Sequence, residues 1–503
     1  MLNAYPDSMG GTLSDIAELL QKPEMQDVFQ SFYILPSLYH SDLDRGFSVI
    51  DYELNEELAK AEDLAKLKDL GLNLKLDFIL NHASVQSPQF QDLLKKGKDS
   101  KYRDFFIEWN RFWKGYGQMT DEGYIQPDAK WIASMFFRKP GLPILMVQFP
   151  DGSREPYWNT FYQEIQYTED GQVQSYRGQM DLNIQSPLVW KFYEDTLRTL
   201  AGYGAKIVRL DAFAYAPKAP GKKNFLNEPE TWQVLERVQA LADRHQLELL
   251  PEIHAGYEEG IYERLSQKGY MTYDFFLPGL IIDALERNSG ELLARWAQEL
   301  YAKQIRTVNM LGCHDGIPLL DLKGLLPAEQ IQHLIDTVVA RGGYVKNLHG
   351  QKNTYYQVNA TYYSALGEED DKMLLARAIQ LFMPGKPQVW YLDLFVGRND
   401  HEAVERAGAG GHKEINRTNL TKQQVEERLA WPVVKEQLKM LRFRNCFPAF
   451  GFDSSMTVQT EGSNLTIQWQ QHGYTAQLCA DLISNHYVIE GSGPDCENIR
   501  IQN

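Results

Sequence analysis

The sequence has few cysteines, no long hydrophobic run and no excess of positive charge. Its four cysteines, Cys313, Cys446, Cys479 and Cys496, lie far apart in 503 residues and form no CxxC pair. This spacing argues against a disulfide framework or a zinc knuckle, and it favours a reducing cytoplasm. The N-terminal segment lacks the basic and apolar parts of a secretory signal. No apolar run is long enough to predict a membrane span.

Acidic residues outnumber basic ones. The chain has 67 Asp and Glu against 51 Lys and Arg, which gives a formal net charge of −16. Such a charge repels phosphate backbones and anionic lipids, so we expect neither a nucleic-acid nor a membrane partner. Any phosphate site must therefore be built locally from a few basic groups. Neither GxGxxG nor a P-loop motif occurs, which excludes the usual signatures of dinucleotide and nucleoside-triphosphate binding.

Short apolar segments alternate with helical segments along the chain. Several are continuous apolar runs, as expected for strands buried on both faces. The predicted strands are Asn3–Tyr5, Phe32–Pro36, Leu74–Leu80, Lys206–Asp211, Glu248–Ile253, Thr272–Phe276, Thr307–Cys313 and Gln388–Leu392. Amphipathic segments such as Glu53–Asp69 and Leu188–Tyr203 lie between them. This alternation predicts an α/β fold, a (β/α)8 TIM barrel.

Two gaps between the predicted strands are too long for ordinary connections. The gap after the third strand is rich in aromatic residues, Gly and Pro, and it predicts an inserted domain. The gap after the seventh strand predicts a loop-rich insert. After about residue 447, short alternating segments predict a C-terminal antiparallel β-domain with the strands Met456–Thr460, Asn464–Gln470, Thr475–Ala480 and His486–Glu490. The predicted division is 1–81, 183–315 and 367–446 for the barrel, 82–182 and 316–366 for the inserts, and 447–503 for the β-domain.

Charged and imidazole side chains stand at the ends of four predicted strands. The segments are DFILNH at 77–82, VRLDA at 208–212, PEIH at 251–254 and CHD at 313–315. Active sites of such barrels lie at the C-terminal ends of the strands. Each group alone has an ordinary explanation, such as a helix cap. Burying all of them together is costly unless function requires it, so they predict an active site.

These four segments resemble, in order, the four short sequence regions of the α-amylase superfamily, glycoside hydrolase family 13. Further segments resemble its sucrose phosphorylase branch: DRGF, WNTF, VRLDAFAYA, TYDF, HDGI, YQVNATYYSALG and EINR. The resemblance covers nearly the whole chain. It implies the same barrel, inserts after the third and seventh strands, and a β-domain at the C-terminus. Because the family includes homodimers, it also implies a homodimer here.

The resemblance also implies roles for individual residues. Asp211 corresponds to the nucleophile, Glu252 to the general acid/base, and Asp315 to the third carboxylate, which holds sugar hydroxyls. The other implied residues of the glucose pocket and acceptor side are Asp44, His82, Phe161, Tyr215, His314, Gln357 and Arg417.

A retaining glycosyl transfer requires two carboxylates about 5 Å apart, one ionised to attack and one protonated to assist the leaving oxygen. Arg209 lies two residues before Asp211 and therefore projects from the same face of the strand. We expect its charge to keep Asp211 ionised. The only basic residue close to Glu252 in the sequence is His254, so we expect Glu252 to hold a proton.

The resemblance favours a phosphorylase over a hydrolase. Phosphate as the attacking group requires cations beside the carboxylates, and two segments supply candidates. The candidate residues are Arg138, Lys139, Lys346, His349 and Lys352. The expected reaction is retaining phosphorolysis of a sucrose-like α-glucoside to α-D-glucose 1-phosphate. Inorganic phosphate is the co-substrate, and neither a metal nor an organic cofactor is expected.

The acceptor side departs from the resembling branch. Thr354 stands where an acidic residue typically meets the fructosyl unit, and EINRTN and HDGIPLLDLKG also differ from the usual segments. Fructose, fructose 6-phosphate, glycerol and glycerate therefore all stay open as leaving groups. A phosphorylated group would use the cations named above, whereas Thr354 and Tyr356 would form a smaller neutral site for glycerol. A family 13 hydrolase or transglucosidase is an alternative, and so is an inactive sugar-binding protein, although all three carboxylates are present.

Overall fold

The computed structural model describes residues 1–138, 141–347, 355–408 and 411–503. Eight parallel strands form one sheet. They are β1 Leu2–Ala4, β2 Ser31–Ile34, β3 Asn73–Ile79, β4 Ala205–Asp211, β5 Glu248–Pro251, β6 Thr272–Asp274, β7 Thr307–Met310 and β8 Lys386–Trp390. Each overlaps one of the eight predicted strands. β2 ends before Pro36 because proline lacks the N–H that a ladder requires, and a short 3-10 turn, Pro36–Leu38, begins there.

The strand order is that of a barrel. It runs β5-β4-β3-β2-β1-β8-β7-β6, and the two end strands pack against one another, so the sheet is nearly closed. The predicted TIM-barrel fold is confirmed. Its strands are almost fully buried because helices cover the outer face and side chains fill the interior.

Helices surround the barrel. The longer ones are Leu13–Leu20, Ala61–Asp69, Pro88–Lys96, Pro187–Gly202, Glu230–Asp243, Ile261–Gln267, Leu277–Arg287, Glu291–Ala302, Ala328–Ala340, Asp370–Phe382, His401–Ala407, Lys422–Leu429 and Pro432–Cys446. The predicted amphipathic segment 53–69 is helical only from Ala61 onward. Asp63 Oδ2 accepts from the Lys60 N–H at 3.0 Å, which caps this helix at that point.

Small antiparallel ladders occupy the segment after β3. Its strands are His82–Ser84, Gly117–Met119, Ile125–Pro127, Ile144–Gln148, Arg154–Trp158, Gln163–Tyr167 and Val173–Asp181. Trp109, Trp113 and Trp158 pack together there in a core separate from that of the barrel. Val173–Asp181 pairs with His82–Ser84, which attaches this insert to the end of β3.

The segment after β7 contains the helix Ala328–Ala340 and the antiparallel strands Tyr344–Asn347 and Tyr355–Asn359. It therefore has more regular structure than the loop-rich insert that the sequence predicts. The predicted division of the chain into six segments stays a prediction.

The C-terminal segment forms a five-stranded antiparallel sheet, as predicted. Its strands are Ser455–Glu461, Asn464–Gln471, Tyr474–Asp481, His486–Gly493 and Cys496–Gln502. The sequence predicted only the first four. The fifth, CENIRIQ, lies at the sheet edge, and its polar, largely exposed residues give little alternation of apolar and polar positions. The four cysteines are free thiols, and none of the described helices is long and apolar enough to span a membrane.

Trp469 fastens the C-terminal sheet to the barrel. Its indole N–H donates to the Phe382 carbonyl oxygen at 2.7 Å in a buried contact. We expect Trp469→Phe to destabilise the protein by about 1–3 kcal/mol, because a buried acceptor loses its partner. Thermal unfolding measures this loss. Trp431→Phe at a 40% exposed position should leave the melting temperature unchanged, and equal melting temperatures for both variants would contradict the role of Trp469.

Candidate active site

The predicted catalytic carboxylates lie together at the C-terminal end of the barrel. Asp211 is the last residue of β4, Glu252 follows β5 directly, and Asp315 follows β7. In the parallel register Leu210 pairs with Pro251, which places Glu252 beside Asp211. This is the end of a TIM barrel at which active sites form.

Arg209 joins three carboxylates in the middle of this site. Its side chain is almost fully buried, and Nη1 lies 2.6 Å from Asp77 Oδ1 and 2.9 Å from Asp211 Oδ1. Nη2 lies 3.4 Å from Glu252 Oε1. The contact with Asp211 agrees with the two-residue spacing. The contact with Asp77 follows from the register, which pairs Arg209 with Asp77 across β4 and β3.

The surroundings of Glu252 differ from those that the sequence predicts, because two cations lie beside its carboxyl group. Burial opposes ionisation of Glu252, but Arg209 and His254 outweigh it and lower its pKa to about 2. Burial raises the pKa of Asp211 to about 7, and the nearby Glu252 charge adds to this against the attraction of Arg209. The surroundings of Glu252 thus favour its ionisation and those of Asp211 oppose it, opposite in direction to the expected order.

His254 is the second cation beside Glu252, after Arg209. Its Nε2 lies 3.2 Å from Glu252 Oε1, and its Nδ1 lies 3.2 Å from Asp321 Oδ1. Burial opposes protonation of the imidazole, but the two carboxylates raise its pKa to about 10. Asp321 was missed because it lies six residues beyond Asp315 in HDGIPLLDLKG, a segment that the sequence analysis noted only for its departure from the usual pattern.

Asp44 and Arg417 meet although they lie far apart in the sequence. Arg417 Nη1 is 3.1 Å from Asp44 Oδ1, and its Nη2 is 3.7 Å from Asp315 Oδ1. A tight turn aims Asp44 at this point. Gly46 has φ 113°, and a Cβ there would lie 2.1 Å from the Ser37 nitrogen, so only glycine fits.

Lys413 is a further cation in this pocket. Its Nζ lies 2.7 Å from Asp315 Oδ1 and 3.4 Å from Asp44 Oδ2. Burial alone would raise the pKa of Asp315, but His314, Lys413 and Arg417 hold it well below its usual value. The sequence analysis missed Lys413 because the matched segment EINR begins one residue later.

Two predicted histidines lie beside the same pocket. His82 Nε2 is 3.0 Å from the Phe47 carbonyl oxygen, and His314 Nε2 is 3.2 Å from Asp315 Oδ2. Burial lowers the pKa of both imidazoles, so they are neutral at pH 7. The Phe161 ring lies 4.9 Å from that of His82. The structure thus brings the predicted glucose-pocket residues together.

The predicted acceptor-side residues are partly described. The Arg138 Nε–H donates to the Tyr215 hydroxyl at 3.0 Å, and the guanidinium lies 5.1 Å from the centre of the Phe161 ring. Gln357 is buried on the strand Tyr355–Asn359, with its Nε2 3.5 Å from His254 Nε2. The remaining predicted residues fall outside the described residues: Lys139, His349, Lys352 and Thr354. For Lys346 and Tyr356 only the backbone is described.

One group of metal-ligand side chains occurs among the described residues. His40, Asp51 and Glu53 lie together on the antiparallel pair Tyr39–Leu43 and Ser48–Leu54. All three are partly or fully exposed, and His40 Nδ1 lies 2.8 Å from Asp51 Oδ1. The group includes none of the carboxylates at the barrel end.

Comparison with known proteins agrees with the geometry. The α-amylase catalytic-domain model matches residues 8–315. The sucrose 6(F)-phosphate phosphorylase of Ilumatobacter coccineus is 56% identical over 498 residues, which cover 97% of this chain and 95% of the relative. The glucosylglycerol phosphorylase of Marinobacter adhaerens is 32% identical over 490 residues, covering 96% and 94%.

A solved structure is also close. The crystal structure of sucrose 6F-phosphate phosphorylase from Thermoanaerobacter thermosaccharolyticum superposes with a TM-score of 0.88 at 34% identity, covering 99% of this chain and 96% of that one. A TIM barrel with carboxylates gathered at its C-terminal end defines a carbohydrate-active enzyme of the α-amylase type. The chain belongs to the α-amylase family, glycoside hydrolase family 13, and within it to the phosphorylase branch, whose members are glycosyltransferases.

The position of Lys413 generates a prediction. We expect Lys413→Met to lower kcat/KM for glucosyl transfer by about tenfold or more, because a charge-assisted contact with Asp315 is lost while the apolar stem is kept. Steady-state kinetics measures this. Lys439→Met, which removes a lysine paired with Glu436 at the surface, is the matched control. An unchanged or increased kcat/KM would show that the Lys413 ammonium does not contribute to glucosyl transfer.

Proposed function

We propose that the enzyme is a retaining phosphorylase that converts sucrose 6F-phosphate and phosphate to α-D-glucose 1-phosphate and fructose 6-phosphate. The observation that carries this choice of substrate is the 56% identity, over nearly its whole length, to a relative named for that activity. Among the four leaving groups that the sequence leaves open, fructose 6-phosphate is the one that carries a phosphate.

The charges on the acceptor side support a phosphorylated leaving group. Arg138 lies against Tyr215 and Phe161, and the His254 imidazole, whose pKa is raised to about 10, lies next to Glu252. Cationic donors in a partly desolvated site bind phosphate oxygens strongly. In a chain of net charge −16, such a local concentration of positive charge is needed to attract a doubly charged sugar phosphate.

The proposed mechanism is a double displacement. Asp211 attacks the anomeric carbon while Glu252 protonates the departing glycosidic oxygen, which gives a covalent glucosyl-enzyme and free acceptor. Phosphate then attacks the same carbon, displaces the Asp211 carboxylate and transfers its proton to Glu252. The net configuration is retained because the carbon is inverted twice.

The glucose pocket is proposed to stabilise the oxocarbenium-like transition state. Asp315 is ionised between Lys413 and Arg417, and it would accept hydrogen bonds from sugar hydroxyls. Neutral His82 and His314 would donate to the hydroxyls or accept from them. We propose that neither a metal nor an organic cofactor takes part and that inorganic phosphate is the co-substrate.

Phosphate release identifies the acceptor. With α-D-glucose 1-phosphate as donor, we expect rapid release of inorganic phosphate in the presence of fructose 6-phosphate, and much slower release with fructose, glycerol, glycerate or water alone. Preference for fructose or glycerol would overturn the substrate but keep the phosphorylase. Fast release with water alone would support a hydrolase instead.

The role of Glu252 is tested by changing the leaving group. Glu252→Gln should lose about 100-fold or more in turnover with the glucoside, because general acid catalysis contributes on this scale. α-Glucosyl fluoride needs no protonation to leave, so formation of the glucosyl-enzyme from it should be largely preserved. Asp211→Ala, which removes the nucleophile, should abolish turnover of both donors. Equal damage to both donors in the Glu252 variant would contradict an acid role.

A further inference from the structure

Glu252, His254 and Asp321 form a hydrogen-bonded row. Glu252 Oε1 lies 3.2 Å from His254 Nε2, and His254 Nδ1 lies 3.2 and 3.3 Å from the two Asp321 oxygens. Glu252 and His254 follow β5. Asp321 lies in the 3-10 turn Leu320–Leu322, after β7. Two separate elements therefore converge on one imidazole.

The surroundings hold this imidazole in place. The Phe275 ring stacks on it, with centroids 3.9 Å apart and planes inclined by 21°, and Gln357 Nε2 approaches its Nε2 at 3.5 Å. The side chains of the row are 13% exposed at Glu252, 9% at His254 and 4% at Asp321, so the row is largely shielded from solvent. A ring fixed on one face and at both nitrogens cannot swing away from Glu252 without breaking packing.

Charged groups face the row from several elements. Arg209 of β4 contacts Glu252 at 3.4 Å from the other side, and Asp315 beyond β7 acts on Glu252 through its charge. Among the described residues, the carboxylates that act on the imidazole are Glu252 and Asp321. Two carboxylates flank the ring, so its protonated form is strongly favoured.

The Asp321 contact fixes which proton is mobile. Nδ1–H donates to the Asp321 carboxylate, so Nε2 is the nitrogen that faces Glu252. One proton can lie on Nε2, giving imidazolium and carboxylate, or on Oε1, giving imidazole and carboxylic acid. These two arrangements have the same net charge, so the exchange moves a proton within the row and neither adds charge to the buried site nor removes it.

We propose that the His254–Asp321 pair stores the acid proton of Glu252 and passes it to Glu252 as the glycosidic bond breaks. In the resting enzyme the proton lies on His254 Nε2. It moves to Glu252 Oε1 and then to the departing oxygen, whose bond to the anomeric carbon breaks as the bond to Asp211 forms. Imidazole and Glu252 carboxylate remain.

Phosphate restores the resting state. The attacking oxygen of hydrogen phosphate forms the bond to the anomeric carbon, the bond to Asp211 breaks, and the phosphate proton passes to Glu252 and on to Nε2. Protons therefore balance over the cycle. This inference rests on the proposed function, and it reconciles a Glu252 that is ionised in the free enzyme with a Glu252 that acts as an acid.

Asp321→Asn tests the store, because it keeps the shape of the side chain but removes the charge that favours imidazolium. We expect kcat/KM for phosphorolysis of sucrose 6F-phosphate to fall by about tenfold or more, whereas formation of the glucosyl-enzyme from α-glucosyl fluoride changes by less than about threefold. The alkaline limb of the pH profile should move to lower pH, because a less basic imidazole loses the stored proton earlier. Asp283→Asn, at another buried aspartate on the helix Leu277–Arg287, should leave both donors and the pH profile unchanged.

Nitrogen NMR of histidine-labelled protein gives a readout that does not depend on turnover. In the wild type at pH 8 we expect both nitrogens of His254 to be protonated, with the signal identified by its loss in His254→Gln. In Asp321→Asn the imidazole should be neutral at this pH. If Asp321→Asn does not fold, His254→Gln replaces it in the kinetic test. This variant must then lose kcat/KM with sucrose 6F-phosphate while formation of the glucosyl-enzyme from α-glucosyl fluoride is preserved.

Two results would overturn the proton store: equal losses on both donors in Asp321→Asn, or a neutral His254 in the wild type at pH 8. Failure of the proposed function looks different. In that case wild-type enzyme would form no α-D-glucose 1-phosphate from sucrose 6F-phosphate. The NMR measurement would still locate the proton, and the donor comparison would use whichever glucoside the wild type consumes.

Discussion

A buried guanidinium holds the active site together. Arg209 is 3% exposed and contacts Asp77, Asp211 and Glu252 within 3.4 Å. Without this cation, three carboxylates would share a desolvated region, and burial together with mutual repulsion would drive protons onto them. Because one guanidinium serves both reacting carboxyls, their proton affinities cannot be set independently. A substitution of Arg209 or Glu252 should therefore change the pKa of Asp211.

Polar groups inside the barrel hold Arg209 in position through its contact with Asp77. Asp77 accepts a hydrogen bond from the Tyr33 hydroxyl at 2.8 Å. The Lys75 ammonium lies 3.9 Å from the centre of the Tyr33 ring and donates to Gln388 Oε1 at 2.7 Å. Branched apolar side chains usually fill this space in TIM barrels. Here a connected polar column occupies it, and such columns tolerate few alternative arrangements because each unpaired group would be costly.

The barrel and the gathering of carboxylates at the C-terminal ends of its strands could be predicted because they depend on local patterns. The contact between Arg209 and Asp211 follows from the two-residue period of a strand. Asp211 and Glu252 lie close together because they lie at the ends of adjacent parallel strands. Lys413 and Asp321 could not be found in this way, since each lies in a connecting segment whose path depends on tertiary packing. The surroundings of Glu252 could not be predicted for the same reason: its basic neighbours are set by the fold, and only His254 is close in sequence.

The distribution of charge links these features to the choice of phosphate as a reactant. The chain has a net charge of −16, yet described cations gather around the carboxyls of the active site: Lys413 and Arg417 lie beside Asp315, His254 lies beside Glu252, and Arg138 lies against Tyr215. In the proposed proton store, the charge of the His254 imidazole is present in the resting enzyme and absent once its proton has gone to the glycosidic oxygen. His254 would therefore be a cation for the incoming glucoside and a neutral base for the proton of the attacking phosphate.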